Sequence, residues 1–283
     1  MNYLKNIITL FVLIFSASVS AQNTNGKAYY IVKNTIKMNL GNRQIPEAQK
    51  AMIQERINSM STNNFVLSFN KNSSIYVEEE KLEQDQGNGV IAQRMGMLKM
   101  ILNQGSNGKL YKNSSDNTYK NQVDLYGKLF LIQDSLKEID WKITDDIKTI
   151  GKHTCFKATA ILKNRGLPTN FRPGEQKTDD SKEEKTIEDE MIIVTAWFTL
   201  DIPVSQGPAM YYGLPGLILE VNAGNTTILC SKIELNKEGE TVDPPKKGKK
   251  INQEKYDELV KKKAKEIREN FQRGRGGLGR RGN

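Results

Sequence analysis

Histidine is nearly missing from this chain, with one among 283 residues, and there are only two cysteines. That leaves no His/Cys cluster for a zinc site and too few cysteines for a disulfide scaffold. There is no G-x-S-x-G, no glycine-rich phosphate loop and no H-E-x-x-H, so the common hydrolase, nucleotide and metalloprotease signatures are absent. With 37% hydrophobic residues and a mean hydropathy of -0.58, the chain is too polar for a polytopic membrane protein and too apolar to be disordered throughout. Carboxylates alone can still run a hydrolase, so an enzyme stays open on residue types. Asp145 and Asp146 are adjacent, however, and in a strand they point to opposite faces, so they are not a ready acid-base pair. We therefore expect no catalytic residue and no cofactor.

The N-terminus carries Lys5, then an apolar run from Ile7 to Val19, then the small residues Ser20 and Ala21. This order reads as a signal peptide over residues 1–21, with Gln22 as the mature start. The run is short for a membrane span. The expected location is outside the cytoplasm, and the periplasm, the outer-membrane surface and the medium all follow from the same signal. Export permits a Cys155–Cys230 bridge. Both lie in strand-like segments with two more strands between them, which in a plain meander sets them ~14 Å apart, beyond bridging distance. Two buried thiols are the simpler expectation.

The formal charge of +9 is concentrated at one end. Residues 246–283 hold 14 Lys/Arg and 5 Asp/Glu, leaving 28 of each sign elsewhere. A balanced body argues against the fold itself binding nucleic acid. Asn252 to Phe271 places Tyr256, Leu259, Val260, Ala264, Ile267 and Phe271 on a helical stripe, with Asn252 as N-cap and Gly274 as the stop. The stripe fits docking onto the domain, and the lysine face also fits anionic lipid. The tail, with Arg273, Arg275, Arg280 and Arg281, suits an acidic protein, lipid headgroups or plain solvent.

Between the two ends the chain reads as antiparallel β. About ten strands are expected, from GKAYYIVKNTIKMN to TTILCSKIEL, together with two or three helices, one of them opening at Pro46. The fold class is α+β, mainly antiparallel β, with a curled half-barrel as one form. The domain limits are 22–245 for the β-rich body and 246–283 for the basic segment. Residues 163–190, with eight acids and six bases, form a long charged loop. Met95, Met97 and Met100 offer thioethers for Cu(I), or simply fill a core beside Leu98, Ile101 and Leu102.

Residues 197–221 read WFTLDIPVSQGPAMYYGLPGLILEV. Leu214-Pro215-Gly216-Leu217 fits a type II turn, Pro203 ends a strand, and Gly207-Pro208 turns the chain again. This stretch resembles the GLPGLI family of exported bacterial proteins, in the hexapeptide Gly213 to Ile218 and in Trp141, Ile150-Gly151, Cys155, Trp197 and Ile202-Pro203. His153 departs from the pattern, where an aromatic residue is expected. The resemblance covers roughly residues 26–235 and implies an envelope protein, with no catalytic residue to carry over. Every special residue of the motif has a backbone role, which is the bland reading. The sharper one is a docking surface at Tyr211, Tyr212, Leu214 and Pro215. Two functions follow as expectations. One is a non-enzymatic accessory protein that binds an envelope protein, with anionic membrane attracting its basic end. The other is a periplasmic carrier of an apolar or lipid-like ligand.

Overall fold

The computed structural model describes residues 24–35, 61–79, 108–125, 127–163, 191–236 and 241–276, with scattered positions between 46 and 55. Twelve strands are described: β1 (Gly26–Asn34), β2 (Thr62–Phe69), β3 (Ser73–Glu78), β4 (Lys109–Asn113), β5 (Thr118–Leu125), β6 (Lys128–Ser135), β7 (Lys142–Ile150), β8 (His153–Lys163), β9 (Met191–Thr199), β10 (Leu217–Ala223), β11 (Thr226–Leu235) and β12 (Lys249–Ile251). One continuous helix, α1 (Gln253–Gly276), follows. Ala48, Gln49, Met52 and Glu55 are also helical, in the segment expected to open at Pro46. The expected signal peptide, the Met-rich stretch and most of the 163–190 loop lie outside the described residues.

All strands join one sheet in the order β12-β6-β5-β4-β3-β2-β1-β11-β10-β9-β8-β7. The chain forms two meanders, β1 to β6 and β7 to β11, zipped together where β1 meets β11 over Gly26↔Leu235 to Asn34↔Thr226. Every pairing is antiparallel except β12 with β6, which is parallel over three residues. The basic segment thus begins inside the sheet, not as a separate appendage.

Topology forces this sheet to bend. β6 and β7 lie ten strand positions apart, which in a flat sheet is about 48 Å. Only Leu136 to Trp141 connect them, and that stretch reaches about 25 Å at full extension. The two ends must therefore curve toward each other, while the terminal strands β12 and β7 stay unpaired with one another. The inner face holds the core. Ala28 and Tyr30 of β1, Phe65 and Leu67 of β2, Tyr76 of β3, Val123 of β5, Ile132 of β6 and Val221 of β10 are all buried. Phe65 stacks on Tyr76 at 4.7 Å, and Tyr30 meets Tyr76 edge-on at 6.2 Å, geometries that suit aromatic quadrupoles.

Two strands differ from expectation by addition. β5 (TYKNQVDL) carries few apolar residues, because Asn121 takes an inward position between Tyr119 and Val123. β12 (KKI) is too short and basic to read as a strand. Helix α1 starts where expected, with Asn252 Oδ1 accepting the Lys255 amide at 3.1 Å, an N-cap at N3. It passes Gly274 and ends at Gly276, because glycine weakens a helix without forbidding it. Tyr256 packs edge-on against Phe130 at 6.0 Å, and Leu259 also lies on the core, so the first turns of the stripe are docked. Among the described residues, no helix is long and apolar enough to cross a membrane.

Candidate functional site

Residues 200–216, between β9 and β10, do not loop outward. They fold over the inner face of the sheet. Pro203 cannot donate to a ladder, and the chain leaves β9 as the Val204 amide turns back to the Ile202 carbonyl at 2.8 Å. The Tyr211 amide closes a turn on the Pro208 carbonyl at 3.0 Å. The segment is then stitched to the start of β10 by Leu217 N to Ile202 O at 3.0 Å and Ile218 N to Gln206 O at 3.1 Å. Ile202, Val204, Leu214, Leu217 and Ile218 are all buried.

The type II turn expected at Leu214–Leu217 is not formed, because the glycine with positive φ is Gly213 (+93°), not Gly216. Gly216 has a different role. A Cβ there would overlap the Thr199 carbonyl oxygen and lie 2.7 Å from its carbon. The motif needs this glycine so that two backbones can touch. Leu217, Ile218 and Leu219 are buried in succession, where a strand with one buried face would alternate. The register shift between Ile218 and Glu220 breaks the period of two there.

Two strand side chains, one from the β6–β7 connection and one of the segment's own hold it in place. Lys112, on β4 and 0% exposed, donates to the Gly207 carbonyl at 2.7 Å and the Tyr211 carbonyl at 3.0 Å. Burial without a neighbouring carboxylate lowers its pKa to about 7. Tyr30 on β1 donates its hydroxyl to the Ile218 carbonyl at 2.7 Å. The Trp141 indole donates to the Tyr212 carbonyl at 2.8 Å, and the Tyr212 hydroxyl reaches the Leu136 carbonyl at 3.3 Å. The segment therefore bridges β10, β1, β4 and the connection between the two meanders.

These contacts correct the expected docking surface. Tyr212 and Leu214 are buried and Tyr211 is half-buried, with its carbonyl on Lys112; only Pro215 is exposed. Pro215 and Gly213 instead line a groove of about 590 Å³ with Glu138, Asp140, Trp141 and Ile143. Ile143 belongs to β7, the sheet's free edge. Ile143 and Ile147 are 55% and 60% exposed, and they share a face with Ala158 and Phe156 through the β7–β8 register. On the opposite face, Ile161 and Ile193 stand directly across from each other on β8 and β9, both well exposed. Apolar side chains thus wrap both faces of one sheet end.

The residues weighed for chemistry separate. His153 pairs with Asp201, 48 positions away in sequence, at 2.8 Å from its Nδ1. Asp146 pairs with Lys157 at 2.9 Å, and Asp145 and Asp146 both lie in the irregular stretch of β7 between Ile143 and Ile147. Cys155 and Cys230 are free and buried. Desolvation pushes the two thiols up to about 11 and about 12, which makes them poor nucleophiles. Among the described residues, no group of three or more His, Cys, Asp or Glu side chains is placed to hold a metal. Met95, Met97, Met100, Arg280 and Arg281 fall outside the described residues; Arg273 and Arg275 lie in the last turn of α1, with only their backbone described.

A family profile described as "Protein of unknown function (Porph_ging)" matches residues 141–220, from the groove tryptophan to the first residues of β10. No curated protein matches the chain. Among solved structures, two of PNGF-II, in the C2 and P21 space groups, are similar at 12% identity and a TM-score of 0.47. Each alignment covers 84% of this chain and 33% of the other, so the chain spans about a third of their length.

Proposed function

We propose that the protein is an exported, non-enzymatic accessory protein of the cell envelope, of the GLPGLI type, that binds a protein partner at or near the outer membrane. The supporting observation is the free β7 end of the sheet, where Ile143 lines the groove of Trp141 and Pro215, and Ile147, Ile161 and Ile193 stand exposed on β7, β8 and β9. Unpaired strand edges with apolar flanks bind extended polypeptide, with main-chain hydrogen bonds for affinity and side-chain pockets for specificity. In a second copy paired edge to edge, Asp145 and Asp146 would face the same carboxylates, and like charges across a strand pair repel, which favours a different protein. The signal-like residues 1–21 supply the address, and the basic C-terminal segment adds electrostatic attraction at long range.

The carrier reading ranks second. An apolar ligand would compete for the inner face with Leu214, Leu217 and Ile218 of the chain itself.

Photo-crosslinking in the native envelope tests the proposal, with the reactive group at position 147 and, as a control, at exposed Asp116 on the β4–β5 hairpin. One protein is expected to crosslink at 147 and not at 116, and Ile143→Asp is expected to abolish it. A lipid-sized mass retained in native mass spectrometry, unaffected by Ile143→Asp, would favour the carrier instead.

A further inference from the structure

Beneath the folded-over segment lies a group of buried polar atoms with no protein partner. Ser74 Oγ, Tyr76 OH and Gln206 Oε1 are among them, and their residues are 0%, 4% and 0% exposed. The sheet register brings them to one place. Ser74 stands directly opposite Lys112, and Tyr76 is two residues further along the same face of β3. Gln206 precedes Gly207, whose carbonyl Lys112 holds, and its amide nitrogen reaches Ser114 Oγ, two residues past Lys112, at 3.5 Å. Tyr76 also touches Tyr30, whose hydroxyl meets Ile218 O, and Ile218 N in turn meets Gln206 O.

A buried polar group without a partner costs about 1 to 3 kcal/mol, and native proteins rarely leave several together. The ammonium of Lys112 has three donors and gives two of them to carbonyls. What remains is a third N–H, two hydroxyls and an amide oxygen, none of which bonds directly to another. An anion would satisfy the donors but repel Gln206 Oε1. Water both donates and accepts, so it fits the mixture.

We infer that a cluster of ordered water is built into the core between β3, β4 and the 206–211 turn, bridging Lys112, Ser74, Tyr76 and Gln206. The lysine then secures the signature segment through a hydrated site as well as through two direct bonds. Such water is exchangeable with solvent only when the segment lifts.

Crystals of the full chain at neutral pH, with a parallel set soaked in sodium bromide, test this. The expected result is water within hydrogen-bond distance of Lys112 Nζ and of at least two of Ser74 Oγ, Tyr76 OH and Gln206 Oε1, with no bromide signal there. In Ser74→Ala, which keeps Lys112 in place, the water nearest residue 74 is expected to be lost. An anomalous bromide peak beside Lys112 would overturn the inference in favour of an anion site. Direct pairing of these side chains with no water between them would overturn it outright.

Discussion

Residues 200–218 and residues 246–276 are both laid against the sheet, but they are held there by opposite means. The first segment is nearly uncharged and largely buried, and its own backbone carbonyls accept hydrogen bonds from the side chains of Lys112, Tyr30 and Trp141. The second is dominated by lysine, adds a three-residue strand to β6 and docks Tyr256 and Leu259, while Lys255, Lys261 and Lys262 remain exposed. The segment with the recognisable motif therefore supports structure. The segment without one keeps lysines such as Lys255 and Lys262 at the surface. A sequence signature built from Gly and Pro marks where backbones must pass closely, and that need not be where binding happens.

The sharpest way to break this comparison is to disturb the inner segment. Gly216→Ala drives a methyl group into the Thr199 carbonyl, and we expect a loss of at least about 3 kcal/mol in urea unfolding, or failure to fold. Lys112→Met leaves two buried carbonyls unpaired but removes a costly buried charge, so a smaller loss of about 2 kcal/mol is expected. The same substitution changes the pH profile. In the folded state Lys112 has a pKa of about 7, whereas the unfolded chain holds that proton up to about 10.4. Between these values the unfolded state binds more protons, so stability rises with pH, by up to about 1.4 kcal/mol per unit. Below pH 7 that contribution is lost, and in Lys112→Met the slope should vanish. Trp141→Phe removes one hydrogen bond to Tyr212 and is expected to cost about 1 kcal/mol in thermal unfolding. At the other extreme, Lys255→Glu with Lys262→Glu should change stability by less than about 0.5 kcal/mol. It should instead slow association with the partner and flatten its salt dependence.

The β strands were legible wherever apolar and polar residues alternate, as in β1, β8 and β9, and so was the N-cap at Asn252. A curled half-barrel was expected as one form, but what bends the sheet was not legible. The bend depends on which strands pair, above all on β1 meeting β11, and no local pattern encodes that contact. Lys112 was hidden for a related reason. In Lys109-Leu110-Tyr111-Lys112 it looks like an ordinary strand lysine, and only its register with buried Leu110 marks it as inward-facing. The two strands expected between Cys155 and Cys230 are there, as β9 and β10. The burial of the motif's side chains was only partly legible: Pro215 is exposed at a groove, whereas Tyr212 is buried and Tyr211 half-buried, with their carbonyls on Trp141 and Lys112.

Amide hydrogen exchange across residues 202–218 of the full chain tests the central claim most directly. If the signature segment is the filling of the sheet, the Leu217 and Ile218 amides should exchange as slowly as those of β1 and β11, and only through global unfolding. Exchange at the rate of an exposed turn such as 114–117, while β1 stays protected, would show that the segment lifts freely from the sheet and would contradict the account.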